Sequence, residues 1–283
     1  MPMVKRGTGE FTKLRLLISG FSNSGKTHSI QTFAEEGKSL VIIVCPGETG
    51  VRSLPEDSDT ISSYYSVMDS EDDMHSVEWS EQAVHDFNET YKEVRKNKPD
   101  KLFIDGIHHL YHHNFNIITG GQYLAGEELN WDSTKGKVDP YRGARFYSQG
   151  HTSFGQYLAA FYASEIPFIG VTVLEDWQAA KTDSERAGGM EATRYLWPYL
   201  PGNMATNVVS RFDVRVSAKL RVRCIHGSCE KSNDSELHHV WQFLPRDEVM
   251  GVGIKGLKVT RAMEKAPWIH QTWPALQNLM KRV

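Results

Sequence analysis

At 283 residues, with 40% hydrophobic and 24% charged residues, the chain is long enough for one large α/β domain and is neither disordered nor collagen-like in composition. A formal net charge of −3 excludes the overall basic excess of a dedicated nucleic-acid binder, so any polyanion site must be local. No run approaches the roughly 18 apolar residues of a membrane span, and the start MPMVKRGTGE carries no apolar signal region, which predicts a cytoplasmic protein with no membrane partner.

In chain order, KLRLLIS (13–19) predicts a buried strand ending at Gly20, and THSIQTFAEEG after Lys26 predicts a helix stopping at Gly37. SLVIIVCPGETG is too uniformly apolar for a one-sided strand and is expected inside a sheet covered on both faces. Residues 52–75 read as loop. Ser80 to Lys96 has an amphipathic spacing at Val84, Phe87, Tyr91 and Val94, closed by Lys98-Pro99. KLFIDG and IPFIGVTVLED give two further buried strands. Between them, residues 106–150 are rich in Gly, His, Tyr and Asn and are expected as a loop-rich insertion, with a helix over 152–164.

From Asn207 onward, SRFDVRVSAKLRVRCIHG, HHVWQFLPR and GIKGLKVTRA alternate like antiparallel strands. The pattern predicts a mostly parallel, twisted α/β sheet with helices on both faces and a β-rich C-terminal extension. Its core would cover about 12–262, followed by a C-terminal tail over 263–283.

The chemistry concentrates at GFSNSGKT, which matches G-x-x-x-x-G-K-[ST], the Walker A P-loop, between a strand and a helix. Gly20, Phe21, Ser22, Asn23, Ser24, Gly25, Lys26, Thr27 and His28 are the expected nucleotide-binding residues. The loop N–H groups would face the phosphates, Lys26 would neutralise the β/γ oxygens, and Thr27 would hold Mg2+ for ATP. Asp105, ending LFID, is expected to hold the same ion through water; an Asp-Gly turn is the alternative.

Gly106 stands where many ATP-hydrolysing P-loop proteins carry a second acid, so a general base must come from elsewhere. Glu48, just after SLVIIVCPG, is the candidate; an exposed loop glutamate is the alternative. Thr172 and Glu175 are candidate sensors of the γ-phosphate or ordinary strand-end residues. Lys255 and Lys258 are candidate cations reaching a neighbouring subunit's site or solvated strand charges.

Tyr141, Arg142 and Arg145, with Phe146 and Tyr147, interleave rings and cations as single-strand binding requires; a loop packing its rings inward would look the same. Cys224 and Cys229 lie near His226, His238 and His239, but their spacing suits a hairpin with two buried thiols better than zinc.

With Gly20 to Thr27, Glu48, Asp105 and Val171 to Glu175 in that order, the chain resembles the ATPase core of the RecA superfamily. Through YLPGNMATNVVSRFDVRVSA, WQFLPRDE and GVGIKG it is similar to phage RecA-like nucleotide-binding proteins, some of them single-strand annealing recombinases. The resemblance spans most of residues 12–262 and implies catalysis by Glu48 with Lys26, and Lys255 offered across a subunit interface. It also implies a homo-oligomer with ATP at its interfaces and action on single-stranded DNA beside a single-strand-binding or replication partner, in the host cytoplasm. Where related proteins have histidine or glutamine on the sensor strand, this chain has Leu174, with Glu175 beside it. A P-loop kinase using Arg186 and Arg194 as a lid, or a nucleotide-gated interaction protein with little turnover, are the alternatives.

Overall fold

A computed structural model describes residues 13–48, 50–65, 76–120, 140–179, 194–200, 203–224, 235–245, 252–255 and 257–281. Strands β1 (Leu14–Gly20), β2 (Leu40–Val44), β3 (Ile61–Tyr64), β4 (Lys101–Asp105), β5 (Phe168–Ala179) and β7 (Val214–Cys224) form the parallel part of the sheet. The order is β10-β8-β7-β1-β5-β4-β2-β3, where β8 is Ser235–Gln242 and β10 is Trp268–His270. Two short strands, β6 (Arg194–Pro198) and β9 (Gly253–Ile254), pair antiparallel with β5 and β7. One strand, β5, lies between the P-loop strand and the Asp105 strand, and this mostly parallel sheet is covered on both faces.

Alternation along the strands sorts the core into two layers. Leu17, Ile43, Leu102, Ile104, Ile169 and Val171 pack under α2 (Val77–Asn97), α3 (Ile107–Ile118), α4 (Pro140–Ala163) and α5 (Asn203–Arg211). Leu16, Ile18, Ile42, Phe103, Val216 and Trp241 pack under α1 (Lys26–Ile30), α6 (Arg261–Lys265) and α7 (Trp273–Met280). Phe33 centres this second layer, its ring 4.6 Å from Phe103 and 4.9 Å from Trp273. Burying one such side chain stabilises by about 1.5–3 kcal/mol.

Local chemistry sets the element ends. Ser76 caps α2 by accepting from the Trp79 amide at 3.0 Å, and Lys98 ends it in the left-handed region before Pro99. The buried Arg15 guanidinium, on β1, donates to the carbonyls of Phe161 and Ser164 at the end of α4, where a cation suits the exposed helix carbonyls.

Several expectations differ from what is observed. The helix after the P-loop is shorter, a five-residue α1 and a 3-10 turn (Gln31–Phe33), because Phe33 turns into the core and Ala34 is extended. Ile61–Tyr64, read as loop, is a parallel edge strand. The 106–150 insertion is largely helical where described: α3 fills 107–118, and α4 begins at Pro140, well before 152. Residues 207–211, expected to open a strand, instead close the helix Asn203–Arg211, and β7 joins the parallel core beside β1. Of GIKGLKVTRA, only Gly253–Ile254 is strand. The expected tail is structural, since β10 pairs with β8 and Trp273, Leu276 and Leu279 are buried.

Candidate nucleotide site

Gly20, Asp105 and Thr172 reach the same carboxyl edge of the sheet, where open α/β sheets bind ligands. The loop from Gly20 turns into α1 through Gly25, whose φ of 85° is the left-handed conformation glycine permits. A Cβ there would stand 2.6 Å from His239 Nδ1 and 2.9 Å from Gln271 Oε1. The Gln271 amide donates to the Ser24 carbonyl at 3.0 Å, and His239 Nδ1 lies 3.2 Å from the same oxygen. The C-terminal strands thus brace the loop, a contact that sequence reading missed because it joins residues 24 and 271.

Lys26 is buried and donates to the carbonyls of Gly20 and Phe21 at 3.0 and 2.8 Å. Burial lowers its pKa, partly offset by Glu48, Asp105 and Glu175. Thr27 donates to Asp105 Oδ2 at 2.8 Å, and Thr172 donates to Asp105 Oδ1. Burial and the nearby Glu48 charge raise Asp105 to about 6, against the donors Thr172 and Thr27.

Glu48 emerges from β2 and crosses to β4. A Cβ at Gly106 would lie 2.7 Å from Glu48 Oε2 and 3.1 Å from its Cβ, so the carboxylate occupies the space that a side chain at 106 would need. Its other oxygen accepts from the Gly50 amide at 3.1 Å. The turn before it is tied down by His113, whose Nε2 donates to the Pro46 carbonyl at 3.1 Å while Nδ1 faces the Ser80 hydroxyl at 3.2 Å. Burial lowers His113 to about 4, which keeps this ring neutral and able to bridge.

A cavity of about 490 Å³ opens between the P-loop and Glu48; Asn23, Lys26, Thr27, Glu48, His109 and Leu174 are among its lining. Ser22, Gly25, His28 and His108 also line it. The sensor candidates diverge. Thr172 is on Asp105, whereas Glu175 is buried against Ser19 and Ser217, which donate to it at 2.5 and 2.9 Å, with Lys219 at 3.3 Å. The sensor-strand side chain facing the cavity is Leu174.

Lys219, which sequence reading passed over as one of several strand cations, also stands 5.2 Å from the Phe21 ring centroid. His108 and His109 belong to HHLYHH, a stretch that reads from sequence either as a metal binder or as a histidine-rich helix start, and the preference for the second leaves them out of the expected site. Lys255 pairs with Asp213 at 3.0 Å, at the start of β7 and hence at the opposite sheet edge from its own P-loop. The side chains of Tyr141, Arg142 and Arg145 lie outside the described residues, as do those of Cys224, Cys229, Arg186 and Arg194. No described helix is long and apolar enough to cross a membrane.

No family model matches the chain, and no curated protein matches it. Among solved structures, the chain is similar to the assembled ATPase EscN in complex with its central stalk EscO from the enteropathogenic E. coli type III secretion system, at 12% identity and a TM-score of 0.42. The match covers 87% of this chain and 49% of that one, so this chain spans about half the length of that structure's chain.

Proposed function

We propose that the protein is a P-loop ATPase whose general base is Glu48. The observation that carries this reading is the Glu48 carboxylate lying against Gly106, which supplies an acid at the Asp105 strand from the neighbouring strand end. The loop amides and Lys26 bind the triphosphate. Glu48 takes a proton from water as the water oxygen bonds to the γ-phosphorus; the bond to the β-bridging oxygen breaks and ADP leaves with that electron pair.

Thr27 and Asp105 form an all-oxygen donor set of the kind that suits magnesium, and these residues would hold it. Bound there, the ion would draw charge from the phosphate oxygens. Leu174 in the cavity offers no hydrogen bond to a γ-phosphate, so Thr172, acting through Asp105, is the better sensor candidate.

The work proposed for this turnover is assembly on single-stranded DNA as a homo-oligomer in phage-type recombination, replication or repair. Support comes from the sequence resemblance and from the position of Lys255, which pairs with Asp213 at the edge away from its own P-loop and so acts, if at a nucleotide, at a neighbour's. Hydrolysis of ATP by the full chain, measured with and without single-stranded DNA and across a salt series, tests both parts. Turnover without DNA stimulation or salt-sensitive DNA binding would retain the ATPase and remove the DNA reading; absence of any turnover would remove the ATPase.

A further inference from the structure

We propose that Glu48, His108 and His109 form a second metal site, selective for a divalent transition metal such as zinc, which inhibits hydrolysis when filled by taking the Glu48 carboxylate. The inhibitory half rests on the reading of Glu48 as base; the binding half does not.

One ligand atom from each of the three residues falls within 4.8 Å of the others. Glu48 Oε2 and His109 Nε2 are 3.7 Å apart. Ligands of a tetrahedral zinc ion stand about 3.4 Å from one another, given metal–ligand bonds near 2.1 Å, so closure around an ion needs only small side-chain rotations. Consecutive helix residues ordinarily point apart. Here the rings of His108 and His109 converge to 4.1 Å between centroids at the first turn of α3.

A second observation points to a ligand. His108 is 5% exposed, and its Nδ1 is buried with no hydrogen-bond partner, although the residue lines the nucleotide cavity. An imidazole nitrogen left unpaired in the interior is costly unless something binds it.

The donor chemistry separates this site from its neighbour. Two imidazoles and a carboxylate suit zinc, copper or nickel, whereas the Thr27–Asp105 oxygens suit magnesium. Three protein ligands leave a coordination position open, as in exchangeable rather than closed structural zinc sites. A zinc ion here would leave magnesium's residues free and remove only the base.

The test uses the tag-free full chain with Co2+ alone as a spectroscopic probe. Wild type is expected to give the visible absorption of low-coordinate Co2+, which is lost in H108A and in H109A and kept in H112Q, with circular dichroism showing that each variant is folded. An unchanged signal in a folded H108A/H109A double variant, or no signal in wild type, overturns the site. Zinc added to hydrolysis assays with excess magnesium should lower wild-type turnover by roughly a hundredfold at saturation, the lower end of a general base's contribution, and a chelator of zinc should restore it. The ratio of turnover without and with zinc should approach one in H109A. Zinc-insensitive turnover in a wild type that binds Co2+ overturns the inhibitory half. If no turnover occurs at all, the ATPase reading fails while the Co2+ result still decides the site.

Discussion

The Thr172 hydroxyl donates to Asp105 Oδ1 and accepts from the Gly106 amide at 2.8 Å, so one side chain on β5 holds both residues at the end of β4. Thr172→Val keeps the shape and removes the hydroxyl. It leaves a buried N–H and a carboxylate oxygen short of a partner, and each loss of this kind costs about 1–3 kcal/mol. Thermal unfolding should show a fall of about 2–4 °C per kcal/mol, by the trend for chains somewhat shorter than this one, together with weaker magnesium-dependent nucleotide binding. An unchanged melting temperature would contradict the bridging geometry.

Glu48→Gln preserves the size of the side chain and its bond from the Gly50 amide but cannot accept a proton. Nucleotide affinity should stay near wild type while turnover falls by about 10²–10⁴. Equilibrium binding and single-turnover hydrolysis separate the two quantities, and near-normal hydrolysis would displace Glu48 as the base.

Gly106→Ala tests the same contact from the other side. Gly106 has a φ of 77°, and an added Cβ would meet Glu48 Oε2 at 2.7 Å. Turnover should drop because the carboxylate is displaced, with a stability loss of about 1–2 kcal/mol for the left-handed backbone. Parallel measurement of hydrolysis and thermal unfolding in Gly106→Ala and Glu48→Gln distinguishes the effects: only the glycine variant should lose stability appreciably.

Asp105 gives the site a pH dependence. Its folded value of about 6 lies above the ordinary 3.8, so the empty folded chain holds this proton more tightly than the unfolded chain does. The resulting stability is fully present below about pH 4 and is lost as pH rises through 6, an effect on the order of 3 kcal/mol. Glu35 acts in a different window: Lys101, Lys38 and Trp273 hold it near 2, so its contribution is lost only as pH falls below about 4.5. Because a magnesium nucleotide requires the ionised carboxylate, its affinity should rise about tenfold per pH unit up to 6 and level off above. Asp105→Asn retains the nucleotide's own ionisation, so the difference between the two affinity profiles isolates the carboxyl.

Sequence pattern revealed the parallel strands and the P-loop because both are local: an apolar run reads directly as a doubly buried strand, and the motif's spacing is its mechanism. Glu48 and Asp105 were legible as strand-end acids. What the pattern could not carry was sequence-distant or weakly patterned. Ile61–Tyr64 hides because ISSY is short, polar and at the sheet edge. The extent of the helix over 107–118 hides because four histidines dilute its apolar face, and two of them, His108 and His109, line the site. The bracing of Ser24 by His239 and Gln271 depends on the tertiary placement of β8 and β10. Glu175 reads as a sensor because the apolar run of the right strand ends beside it, yet alternation turns it away and leaves Leu174 facing the cavity.

That turn gives Glu175 a different task, open to a double-mutant cycle. Its carboxylate is 1% exposed and is held by two serine hydroxyls and by Lys219, whose side chain is 19% exposed. Because the pair is inaccessible on the acidic side and only partly open on the basic side, Lys219→Ala should cost about 1–3 kcal/mol, less than the rupture of a fully buried ion pair. Glu175→Gln removes the charge that Lys219 answers, so the second substitution should cost little once the first is made. The cycle should return a coupling of about 1 kcal/mol or more. Lys219 also stands over the Phe21 ring at the start of the P-loop, so Lys219→Ala should weaken nucleotide binding whether or not Glu175 is present. Measured coupling near zero would mean that the serines alone satisfy the carboxylate, while unchanged nucleotide affinity would free the P-loop from Lys219.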